Sequence, residues 1–245
     1  MTTTLKTALV TGASGGIGAA VARRLAADGF ALVVHYGGRA EPAQKLVAEI
    51  EAAGGKAIAA QADVADPAAV AAMFAAGEAA FGGIDVVVAN AGVLDLAPVA
   101  EMTDEAFDRT IAVNLKGAFN VLREAARQVR KGGRIVSVST SVVGMLLPAY
   151  GAYAASKAAV ETLTQILAKE LRGREITANV VSPGPTATPL FFEGKSPELI
   201  ERLAKAPPLE RLGTPEDIAG VIAFLAGPDG TWVNGQVLRA NGGIV

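Results

Sequence analysis

The sequence predicts an α/β fold in which a doubly wound parallel sheet of about seven strands lies between two layers of helices, a three-layer Rossmann-like arrangement. Three observations predict it. Short β-rich runs alternate with longer helical runs along the whole chain. Most strand candidates are too continuously apolar to have a wet face, as strands covered on both sides must be. The intervening stretches are rich in Ala, Leu, Glu, Lys and Arg, which suit a helix, and right-handed crossovers then place those helices on both faces of the sheet.

Taken in order, the first strand, Thr7 to Val10, precedes a glycine-rich loop and a helix over Ile17 to Asp28. Ala31 to His35 is followed by a helix over Ala43 to Ala53, and Ala57 to Gln61 by one over Pro67 to Ala80. Val86 to Ala89 leads to a long helical stretch, Asp104 to Arg130, and Arg134 to Ser139 leads to Tyr153 to Leu171. Ala178 to Val181, a helix over Pro215 to Leu225, and Gln236 to Arg239 complete the alternation. Gly29, Gly54 and Gly82 fall where C-terminal caps belong. There is neither a fixed-period repeat nor a linker, so residues 1–245 read as one domain.

Composition narrows the function. With 51% hydrophobic and 19% charged residues, the chain has enough apolar side chain to offset the entropy of ordering. Its 22 basic and 24 acidic residues leave a net charge of −2, which offers no field for nucleic acid and no polybasic patch for lipid. The absence of cysteine excludes disulfides, thiolate catalysis and Cys-ligated metals, and His35 is the sole histidine. No export signal is visible at the N-terminus. The uncharged run Ile135 to Ser156 is interrupted by hydroxyls, glycines and a proline, so it reads as strand, loop and helix start. A cytoplasmic protein is expected.

Ligands of such a sheet bind outside the carboxyl ends of its strands. The first such end carries Thr11-Gly12-Ala13-Ser14-Gly15-Gly16-Ile17-Gly18. Glycines at 12, 16 and 18 permit a tight turn and close backbone approach, leaving helix N–H groups to bind a pyrophosphate. A plain strand-to-helix turn or an adenosyl-methionine site would look similar.

The spacing within Thr-Gly-x-x-x-Gly-Ile-Gly resembles the short-chain dehydrogenase/reductase family. Further matches come in order over essentially the whole chain: Asn90-Ala91-Gly92, Tyr153-x-x-x-Lys157 and Pro183-Gly184. Tyr153 and Lys157, four apart, share one helix face, although a chance surface pair would do the same. With no cysteine, a tuned Tyr or carboxyl group must serve as proton donor for a carbonyl reduction. An ammonium about 5 Å from a phenol at an effective dielectric near 20 stabilises phenolate by roughly 3 kcal/mol, or about two pKa units. Lys157 is thus expected to bring Tyr153 towards the working pH.

The resemblance implies Tyr153 as general acid, Lys157 also bound to the nicotinamide ribose, and Asn114 as anchor of a relay water. It also implies a hydroxyl that holds the substrate carbonyl oxygen. Ungapped counting gives Thr140, and the local Ser-x-x-Gly pattern gives Ser141, which is preferred. No carboxylate ends the second strand, where His35-Tyr36-Gly37-Gly38-Arg39 stands and Glu41 comes too late. Arg39 is therefore expected to bind a 2′-phosphate beside Tyr36, making NADP the cofactor. Asp63-Val64 resembles the adenine-edge contact, and Thr186 and Thr188 stand where the nicotinamide amide and diphosphate would lie.

Leu190-Phe191-Phe192, in the variable segment Ala187 to Arg211, and Met145-Leu146-Leu147 suggest opposing apolar walls. An apolar ketone, aldehyde or acyl thioester is favoured over a sugar or carboxylate, though the same residues suit a subunit contact. The expected protein is an NADPH-dependent carbonyl reductase, resembling the 3-oxoacyl-carrier-protein reductase and aldehyde/ketone reductase branches. A catalytically idle dinucleotide sensor acting through a partner and an adenosyl-methionine-dependent transferase are the rivals. Surplus apolar surface on the long helices and C-terminus, with the resemblance, implies a homotetramer.

Overall fold

Every strand is parallel to its neighbours, so no two can be joined by a tight hairpin and each pairing requires a crossover. The structure, a computed structural model, describes residues 5–245. Its strands are β1 (Thr7–Val10), β2 (Ala31–Tyr36), β3 (Ala57–Gln61), β4 (Ile84–Ala89), β5 (Val129–Val138), β6 (Thr177–Pro183) and β7 (Val237–Ala240). They lie in the order β3-β2-β1-β4-β5-β6-β7. The direction of winding reverses between β1 and β4, and that reversal opens the crevice in which such sheets bind ligands.

Successive side chains of a strand point to opposite faces. Ala8 and Val10 of β1 therefore enter one core, with Leu32, Val34, Val86, Val88 and Val136. Helices α1 (Gly16–Ala27), α2 (Glu41–Ala52) and α10 (Pro215–Ala226) cover it. Leu9 faces the other way, with Val33, Val87 and Ile135, beneath α3 (Pro67–Phe81), α5 (Ala118–Gln128) and α7 (Gly151–Glu170). Two buried faces account for the unbroken apolar runs. Gly29, Gly54 and Gly82 each follow a helix end with φ between 78° and 90°, the left-handed conformation in which a Cβ is unwelcome.

The long helical stretch departs from the expectation. It is α4 (Asp104–Thr110), a π-helical segment (Ile111–Gly117) and then α5, and it stops at Gln128. The wider turns of the π-segment are tied to its buried asparagine: Asn114 holds Val93 with both ends of its amide. Val129 and Arg130 leave the helix because Val129 pairs with Ile84 and Arg130 reaches the Asp85 carboxylate at 2.5 Å. The variable segment also holds more helix than expected, in α8 (Pro189–Phe192) and α9 (Pro197–Lys205), each started by a capping hydroxyl, Thr188 and Ser196. The remaining short helix, α6 (Val142–Met145), follows β5. Among the described residues no helix is long and apolar enough to cross a membrane.

Candidate active site

The loop after β1 is fixed by bonds that reach across the crevice. Thr11 Oγ1 accepts from the backbone N–H groups of Asn90 and Ala91, at 2.9 and 3.0 Å, and donates to Val88 O. Asn90 Nδ2 returns bonds to the carbonyls of Thr11 and Gly12, at 2.9 and 3.2 Å. Gly12 has φ +64°, and a Cβ on Gly18 would lie 2.2 Å from Gly12 O, so the first turn of α1 packs directly on the loop.

That packing leaves a cradle. Helix α1 starts at Gly15 without a side-chain cap and with no acidic residue in its first turn. Its first N–H groups therefore present the partial positive charge of a helix N-terminus, and a Cβ on Gly15 would meet nothing within 4 Å. Ser14, Gly15 and Gly16 edge the groove there, and Thr188 comes within about 3.4 Å of where a Gly16 Cβ would be. The donors and the open space fit a dinucleotide diphosphate.

His35, at the end of β2, braces this loop. Its Nδ1 accepts from Gly12 N–H at 2.9 Å, which puts the ring proton on Nε2, where it is donated to Ala62 O at 3.0 Å. The imidazole is buried, and desolvation lowers its pKa below the ordinary 6.5, against smaller upward effects of the Ala62 bond and the Asp63 charge. It is a neutral link between the ends of β1, β2 and β3.

Residues after the later strands close the cleft. Just beyond the end of β5, the buried Thr140 hydroxyl accepts from Val142 N–H at 3.3 Å and lies close enough to the Tyr153 phenol to favour its ionisation. Ser141, the hydroxyl that the local pattern favours, is committed elsewhere: its Oγ donates to Ser182 O at 3.1 Å and accepts from Asn241 Nδ2 at 3.0 Å. Both hydroxyls border the same cleft. The Lys157 ammonium donates to Val138 O at 2.9 Å, and no hydrogen bond joins it to the phenol. Burial pushes Tyr153 up to about 12, with Thr140 pulling slightly back, and lowers Lys157 to about 8. Tyr150 packs edge-on against Tyr153, ring centroids 6.3 Å apart.

Asn114 is fully buried, with Oδ1 accepting from Val93 N–H at 2.8 Å and Nδ2 donating to Val93 O and Ser156 Oγ. A Cβ on Gly92 would stand 3.1 Å from Asn114 Oδ1 and 3.4 Å from Lys157 Nζ, so the glycine lets these groups gather closely beyond β4.

The remaining positions lie at the same edge of the sheet. Tyr36 is half-buried, and Arg39 is exposed with no ion pair among the described residues. Asp63 accepts from Ala65 N–H in a turn, and Val64, buried, gives its carbonyl to Asn120. Pro183 ends β6, Gly184 packs against Asn241, and Thr186 donates to Gly184 O. Met145, Leu147, Leu190 and Phe191 line one cleft with Thr140, Tyr153 and Lys157. Leu146 does not: its left-handed backbone turns it outwards, 78% exposed, and Phe192 also lies outside the lining.

Comparison with known proteins agrees with this architecture. A family model described as enoyl-(acyl carrier protein) reductase matches residues 12–245. A short-chain type dehydrogenase/reductase from Picea abies is 49% identical over 98% of this chain and 92% of the relative. The chain belongs to the short-chain dehydrogenase/reductase family. Another relative in it, an NADPH-dependent aldehyde reductase-like protein of Arabidopsis thaliana, chloroplastic by name, is 45% identical over 98% of this chain and 94% of its own length. The crystal structure of a short-chain dehydrogenase from Burkholderia cenocepacia in complex with NADP superposes with a TM-score of 0.92 at 41% identity, covering 98% of this chain and 97% of that one.

Sequence reading missed two residues that shape this family member's site, Thr11 and His35. Thr11 stood inside the glycine motif, but its partners lie 79 and 80 positions away. His35 ends an apolar strand, and nothing local tells an inward imidazole from an outward one. Because the fold holds His35 neutral, the folded state binds fewer protons than the unfolded chain once pH falls below 6.5, and stability falls with it. In His35→Asn the amide oxygen can still accept from Gly12 but does not titrate. Between pH 6.5 and 5 the wild type is expected to lose stability more steeply, by up to about 1.4 kcal/mol per pH unit. Parallel denaturation midpoints for the two proteins over that range would refute this.

Proposed function

We propose that this protein reduces a small-molecule carbonyl, a ketone, aldehyde or 3-oxoacyl thioester, to the corresponding alcohol. It is an oxidoreductase, and its cofactor is NADP. The observation that carries the reading is the Thr140 and Tyr153 hydroxyl pair, set in a largely apolar cleft beside the glycine cradle. Two hydroxyls at one point suit a single substrate oxygen on which negative charge develops.

The loop from Gly12 to Gly18 would hold NADPH, which would supply the hydride for the carbonyl carbon. Thr140 holds the carbonyl oxygen, and Tyr153 gives it the phenolic proton as negative charge develops there. A phenol near pKa 12 remains protonated at neutral pH, and an alkoxide is a far stronger base than phenolate, so the transfer runs downhill. Lys157 lies next to Gly92 and, with its pKa near 8, is mostly charged at neutral pH, placed to bind the nicotinamide ribose. Asn114 fixes the loop through Val93 and, with Ser156, anchors the route by which Tyr153 recovers its proton.

The names of the Arabidopsis relative and the Burkholderia complex support the choice of NADP over NAD. So do the exposed Arg39 and the lack of a carboxylate at the end of β2. We place the enzyme in a reducing compartment such as the cytosol, which suits a chain without cysteine. Phe119 on α5 and Ile166 on α7 are exposed, as are Phe224 on α10 and Trp232, the last 97% accessible. These two groups of apolar side chains support two interfaces and a homotetramer.

Tyr153→Phe is expected to abolish most turnover while NADPH still binds, and near-wild-type rates in this variant would remove Tyr153 as the acid. Thr140→Ala is expected to lose more turnover than Ser141→Ala, with the opposite order returning the role to Ser141. Assaying a 3-oxoacyl thioester beside its enoyl analogue decides between reduction at oxygen and at carbon. Catalytic efficiency with NADPH is expected to exceed that with NADH at least about tenfold, ~1.4 kcal/mol, and Arg39→Ala to shrink the gap. A preference for NADH would overturn the phosphate-binding role. Sedimentation equilibrium is expected to return about four times the 24.8 kDa chain mass, and a monomer at micromolar concentration would refute the assembly.

A further inference from the structure

The cleft beside Tyr153 holds a second cation, which the reduction does not use. Lys195 stands between α8 and α9, and its side chain joins Leu190, Phe191, Met145 and Leu147 in the lining. The ammonium nitrogen is shielded from solvent and has no hydrogen-bond partner among the described residues. It rests 5.0 Å from the centroid of the Phe191 ring. Glu193 is the acidic side chain whose charge acts on it, but Glu193 is exposed and the two form no ion pair.

An ammonium carries three donors, and removing them from water without an acceptor is costly. The face of Phe191 offsets part of that cost. An anionic oxygen brought into the cleft would satisfy what the ring cannot, in an apolar setting where the interaction is stronger than in water. The neighbouring walls, Met145, Leu147, Leu190 and Phe191, suit an apolar body. We propose that Lys195 determines specificity, and that the substrate class is carbonyl compounds with an apolar, aromatic or aliphatic, framework bearing one anionic oxygen, a carboxylate or a phenolate, apart from the reacting carbonyl. This deepens the carbonyl-reductase reading and rests on it, while revising the expectation that the apolar walls exclude a carboxylate.

The test compares 4-formylbenzoate with 4-methylbenzaldehyde, two aldehydes of similar shape that differ in charge. In the wild type with NADPH, kcat/KM is expected to favour the formylbenzoate at least about tenfold. The ratio is expected to fall to about one in Lys195→Met and to recover in part in Lys195→Arg. Calorimetry of benzoate binding to the NADP+-loaded protein gives a readout independent of turnover, with affinity expected to drop at least about tenfold in Lys195→Met. Equal ratios in wild type and Lys195→Met, with unchanged benzoate affinity, would overturn the proposal. So would a Lys195→Met variant that loses NADP+ affinity but keeps the ratio, since the cation would then serve the cofactor. If neither aldehyde is reduced, these two compounds are not substrates, and the benzoate measurement still decides the role of Lys195.

Discussion

The cleft depends on how the loop after β1 is held to the loop after β4. These are adjacent strands in the sheet but distant in the chain, and the crevice between them is where winding reverses. Thr11 and Asn90 bridge it with four hydrogen bonds between side chain and backbone. Once that bridge exists, Gly12 must take a positive φ, Gly18 must lack a Cβ, and α1 must begin with its N–H groups bare. His35 completes the fixation from β2, so one short loop is tied to three strands. These bonds pair the Gly12 N–H and the Thr11 and Gly12 carbonyls within the protein.

Much of the fold was legible because burial on both faces leaves an unmistakable pattern. Val33 and Val34 serve opposite cores, so a strand such as β2 has no reason to alternate. The glycines that end α1, α2 and α3 were readable for the same local reason, a backbone that L-residues seldom adopt. The long helix was not. Whether Asn114 packs outwards or turns in to take the Val93 backbone depends on a loop 21 residues earlier, and no helical periodicity within Asp104 to Arg130 carries that information. The break at Gln128 likewise rests on Ile84 and Asp85, partners from another strand.

The site was legible by residue type and less so by geometry. Tyr153 and Lys157 are on one helix face, as their spacing requires, yet they do not share a bond. The Val138 carbonyl competes for the ammonium and wins. Between Thr140 and Ser141 the sequence offered two equivalent hydroxyls, and Asn241, 100 positions beyond Ser141, separates them by claiming one. Lys195 could not be read as part of the cleft, since its placement follows from the two short capped helices on either side of it.

The all-parallel sheet has a consequence for how the enzyme is made. No strand pair can close through a local turn, so the chain gains its contacts late and at long range, the regime of slow folding. During synthesis β1 and β2 meet early, but the partners of Thr11 emerge only 79 and 80 residues after it. A nascent chain thus carries the complete glycine motif long before it carries anything to shape it. The loop takes its shape only when Asn90 and Ala91 arrive, as the second half of the sheet begins to form on the first.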